Sequence, residues 1–71
     1  MTNDEKEMFR SAVHFLKKFE GFEGTDEYWL AAAKEVGKVC WQWHNHTLIK
    51  GLISAVYRYM EERCKEHGQG T

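Results

Sequence analysis

The stretch Cys40-Trp41-Gln42-Trp43-His44-Asn45-His46 sets one thiol, two indoles and two imidazoles within seven residues. Metal sites, thiol catalysis and aromatic contact surfaces all draw on these side chains. Metal comes first. Cys40 and His44 are four residues apart and can share a helix face. His46 is close by, and Cys64 with His67 supplies a second pair. Thiolate and imidazole ligands in a tetrahedral set suit zinc. If the last two helices form an antiparallel hairpin, however, Cys64 lies roughly 24 Å along the helix from the turn that holds His44. The two pairs then meet only across an antiparallel dimer; otherwise a partial site of Cys40, His44 and His46 is left. The spacing matches no zinc-finger pattern. The expectation is no metal and no cofactor, with Cys40, His44 and Cys64 the set to watch.

Catalysis is the second chemistry. Cys40 and His44 could form a thiolate–imidazole pair. Yet Cys40 falls on a predicted core face, and so small a bundle leaves little room for a substrate pocket. Ser54 has no histidine at helical spacing. Glu61, Glu62 and Glu66 alternate with Arg58, Arg63 and Lys65, the pattern of a solvated helix face. The chain is not expected to be an enzyme.

Contact is the third. Trp29 and Trp43 fall on a predicted core stripe. Trp41 projects about 140° away from Val36 at 3.6 residues per turn, among Leu30, Lys34 and Lys38. An exposed indole there can anchor a protein contact or stack a base. Protein contact is the commoner use, because Trp is a favoured hot-spot residue.

Three helices must position these groups. Thr2 and Glu5 have capping-box spacing, and Met8, Phe9, Ala12, Phe15, Leu16 and Phe19 form one apolar stripe. This predicts a helix over about 3–20, stopped by a left-handed Gly21. Thr25 or Asp26 caps a second helix over about 26–44. Its core face is Trp29, Ala32, Ala33, Val36, Val39, Cys40 and Trp43, and Gly37 sits mid-helix. Asn45 or Thr47 caps a third helix over about 48–66. There Leu48, Ile49, Leu52, Ile53, Val56, Tyr57, Met60 and Cys64 cover nearly half the circumference. Residues 67–71 read as a frayed tail. The fold class is all-α, a three-helix bundle in a single domain spanning 1–71.

The bulk properties narrow the function. The chain has 71 residues and a net charge of −1. Residues 1–35 carry eight acids and five bases; residues 36–71 carry three acids and five bases. Mixed charge argues against a dedicated nucleic-acid binder. No segment approaches the ~18 apolar residues of a membrane span, and no secretory leader is visible. A cytoplasmic protein with reduced thiols is expected. A domain this small buries only about 60% of its unfolded surface, which favours a partner. We therefore expect a homodimer, or a heterologous protein contact, through Trp41, Tyr57, Tyr59 and Met60.

The alternative is a helix-turn-helix regulator. Ala33-Lys34-Glu35-Val36-Gly37 has the shape of such a turn, and Lys34, Lys38 and Lys50 would meet phosphates.

The segments Asp26–Val36 and Leu48–Glu62 resemble small uncharacterised helical proteins of bacterial phage-like and conjugative elements. The resemblance implies a short cytoplasmic accessory or regulatory protein and assigns no functional residue.

Overall fold

The structure is a computed structural model that describes residues 1–66. The expected tail at 67–71, and His67 with it, lies outside the described residues. Three helices follow in order: α1 (Asn3–Lys18), α2 (Asp26–Gln42) and α3 (Thr47–Cys64). The all-α expectation holds, with each of the three helices ending two residues early and α3 beginning one residue early.

The caps show why the helices begin where they do. Thr2 Oγ1 accepts from the Glu5 amide at 3.1 Å, and Glu5 Oε1 accepts from the Thr2 amide at 2.7 Å. Asp4 and Glu5 sit at the positive end of α1, Lys17 and Lys18 at the negative end, each favourable with the helix dipole. Thr25 Oγ1 caps α2 by accepting from the Tyr28 amide.

α2 runs antiparallel to α1, with Lys18 paired to Glu35 and the Trp43 indole donating to Ser11. It also runs antiparallel to α3, where Trp29 packs on Tyr57. α1 and α3 are therefore parallel, and α3 packs chiefly on α1 and secondarily on α2. The core combines Met8, Ala12, Phe15 and Phe19 of the α1 stripe, Phe22, Tyr28, Ala32 and Val39, and Ile49, Ile53, Met60 and Cys64 of α3. Trp29, Val36, Trp43 and Tyr57 are partly buried against it. Phe9 and Ala33 were expected inside but are exposed, because each lies at the rim of its stripe.

The α1–α2 link departs from expectation. Its left-handed residues are Phe22, at φ 50°, and Gly24, at φ 71°, not Gly21. A non-glycine residue there costs about 1–2 kcal/mol. Burial holds Phe22 in place: its ring is 6% exposed, with the Arg63 guanidinium 4.7 Å above it and Tyr59 edge-on at 6.1 Å. Arg63 also donates to the Tyr59 hydroxyl at 2.7 Å. Its Nε is near enough to Glu66 for an ion pair, though not aligned for a hydrogen bond.

Tyr28 closes the same end. Its hydroxyl donates to the Phe19 carbonyl at 2.7 Å, and its ring meets Phe19 edge-on. Burial, and then Cys64 beside it, push the Tyr28 phenol well above the ordinary tyrosine range.

Folding therefore favours neutral Tyr28, whereas the unfolded chain ionises near pH ~10. That contribution is intact below about pH 10 and is lost as pH rises beyond it. Tyr28→Phe is expected to lose about 1 kcal/mol at neutral pH, through the lost hydrogen bond, and to flatten the alkaline decline. Urea midpoints measured from pH 7 to 11 check both effects; parallel wild-type and variant curves would refute the assignment.

Candidate protein-interaction surface

Cys40 through His46 form one helix end and the next helix start. The Asn45 amide donates to the Cys40 carbonyl at 2.8 Å and the His44 amide to the Trp41 carbonyl at 3.0 Å. This is a Schellman closure of α2, with His44 left-handed at φ 53° where glycine is usual. Asn45 follows at φ 56°, a conformation asparagine tolerates. His46, rather than Asn45 or Thr47, caps α3: its Nδ1 accepts from the Leu48 amide at 3.0 Å. Imidazole can do this only with Nδ1 unprotonated. His46 was missed because histidine is not among the strongly preferred caps.

The metal trio does not assemble within the chain. Cys40 stands at the α2–α3 turn, whereas Cys64 is buried beside Tyr28 at the opposite end of the bundle. Among the described residues, no three His, Cys, Asp or Glu side chains are grouped to hold a cation.

The four expected interface residues separate. Met60 is completely buried in the core and offers nothing to a partner. Its place on the α3 stripe, between Ile53 and Cys64, explains this. Tyr59 is 43% exposed but turns toward Phe22 and Arg63, roughly 160° around α3 from Tyr57. Tyr57 packs on Trp29 and lines an open groove of ≈440 Å³ between α2 and α3, with Ala33, Val36 and Ile53. Trp41 is 78% exposed on the outer side of α2.

Trp41 has company that the sequence reading placed near it but did not join into one surface. Leu30 is 61% exposed and lies within about 20° of the same line on α2, three turns earlier. Gly37 falls between them on that line, and an added Cβ there would meet nothing within 4 Å. Ala33 is exposed on the side facing the groove. The result is a ridge with an apolar knob at each end and a shallow saddle between. It continues through Ala33 into the groove beside Tyr57.

The helix-turn-helix reading loses its turn, since α2 is unbroken through Gly37. One mid-helix glycine costs about 1 kcal/mol, and the buried anchors Ala32 and Val39 on either side hold the helix together. Lys34, Lys38 and Lys50 are all exposed. Lys34 and Lys38 flank the ridge on its α1 side. Lys50 belongs to the first turn of α3, across the groove. No described helix is long and apolar enough to cross a membrane. Comparison with known protein families, curated proteins and solved structures yields no match, so the surface is read from its own geometry.

Of the three indoles, Trp41 should react first with limiting N-bromosuccinimide. Peptide mapping after partial oxidation checks this; equal modification of Trp29 or Trp43 would contradict the exposed placement.

Proposed function

We propose that this chain is a small, non-catalytic helical interaction module that contacts another polypeptide through the outer ridge of α2. One observation carries the reading: Trp41 and Leu30, 78% and 61% exposed, lie on one line of a helix whose opposite face is already committed to the core. An indole buries about 150–250 Å² when covered, and such residues dominate contact energetics. Gly37 supports the same reading. Its helix cost is not offset by any close approach among the described residues, and a partner helix crossing the saddle would use the space.

A second copy is one candidate polypeptide, as the expected homodimer requires. Sedimentation between about 1 and 100 µM reads self-association. A photo-crosslinking amino acid at position 41, irradiated in the producing cells, reads any other protein contact. The expected result is a dimer that Trp41→Ala dissociates, or a discrete adduct from position 41 that is absent when the probe replaces Glu62. A chain monomeric at the highest concentration, with no adduct, would overturn the proposal.

A further inference from the structure

Taking the α2 ridge as a contact surface, we infer that its occupant is an acidic amphipathic helix of a different protein, its apolar side chains seated on Leu30 and Trp41 and its carboxylates facing Lys34 and Lys38.

The argument is charge complementarity. From residue 36 to residue 60 the chain has no Asp or Glu, but it has Lys38, Lys50 and Arg58. All three side chains are exposed. Lys38 and Lys50 belong to the second half of α2 and the start of α3, the half of the ridge where Trp41 stands, and Arg58 lines the groove beside Ala33. Lys34 and Lys38 make no ion pair with any described residue. The acids that share a surface groove with Lys38 are already engaged: Glu35 holds Lys18 at 3.1 Å, and Glu7 on α1 holds Arg10 at 3.1 Å. Of the remaining acids, Asp26 and Glu27 sit at the far end in the first turn of α2, and Glu61 lines the α3 side of the groove together with Arg58.

The same charges oppose a twofold pairing of α2 with itself. Setting Trp41 against Leu30 of a second copy places the symmetry axis between Glu35 and Val36. Lys34 and Lys38 of both copies then converge around that axis, and like charges brought together in this way are strongly unfavourable. Shape favours a helix over other anions. The saddle at Ala33 and Gly37 admits a rod, and the two knobs stand about 16 Å apart, three helical turns. A nucleic acid would find only two lysines on the ridge, with Glu27 in the same line.

The test presents the full chain to a displayed library of amphipathic helices whose polar positions are randomised among acidic, basic and neutral residues. Selected sequences should be net acidic. Their binding should fall at least about tenfold on Trp41→Ala, and similarly on Lys34→Glu with Lys38→Glu. Circular dichroism confirms that both variants fold, and the charge-reversed variant should select basic helices instead. Neutral or basic selections that still need Trp41 overturn the partner chemistry and leave the ridge a contact surface. So does a Trp41-dependent dimer that retains no peptide. Lysine-dependent binding of random duplex DNA, or of phosphatidylserine vesicles, without peptide retention would replace the protein partner with that anion. Peptides retained equally by Trp41→Ala would remove the ridge itself.

Discussion

Four side chains along one line of α3 set the architecture: Ile49, Ile53, Met60 and Cys64, none more than 4% exposed. Each large apolar side chain buried there contributes about 1.5–3 kcal/mol, against a backbone ordering cost of about 1–2 kcal/mol per residue. With the partly buried Leu48, Leu52, Val56 and Tyr57 beside that line, the stripe is too wide for a single covering helix to shield. α1 covers one side with Met8, Ala12 and Phe15, and α2 covers the other with Tyr28, Ala32 and Val39. Each covering helix spends one face on this task. The outer face of α2 is left over, and the contact surface sits there.

The two links fix how that face is presented. At one end the Phe19 carbonyl accepts from both the Phe22 amide and the Tyr28 hydroxyl, so the exit from α1 and the entry to α2 share one acceptor. At the other end the Schellman closure takes up the Cys40 and Trp41 carbonyls, and His46 starts α3 immediately afterwards. Trp41 therefore stands on the last turn of a closed helix rather than on a fraying one. Ordering an anchor before it is covered lowers the conformational cost of binding.

Much of this was legible in the sequence, because apolar periodicity reports which face is buried. The three helices, the α1 capping box and the outward direction of Trp41 all follow from spacing. What escaped depends on contacts between distant residues. Met60 was assigned to the contact as well as to the α3 stripe because the width of that stripe was read as surplus, when two helices cover it. Tyr28 is drawn inside by the Phe19 carbonyl, which no local pattern reveals. Phe22 adopts a left-handed conformation that sequence rules assign to glycine, held there by burial and by contacts with Arg63 and Tyr59. The basic character of the ridge was visible as a gap in the acids, but its direction relative to Trp41 required the helix pairing.

The central claim is a division of labour: the α3 line holds the chain together, and the Trp41 ridge contributes nothing to holding it. Paired denaturation of Trp41→Ala and Met60→Ala tests this most directly, at concentrations where the chain is monomeric. The account predicts that Trp41→Ala stays within about 0.5 kcal/mol of wild type, while Met60→Ala loses about 2–5 kcal/mol. Equal losses from the two substitutions would mean that Trp41 belongs to the core, and the surface described here would not exist.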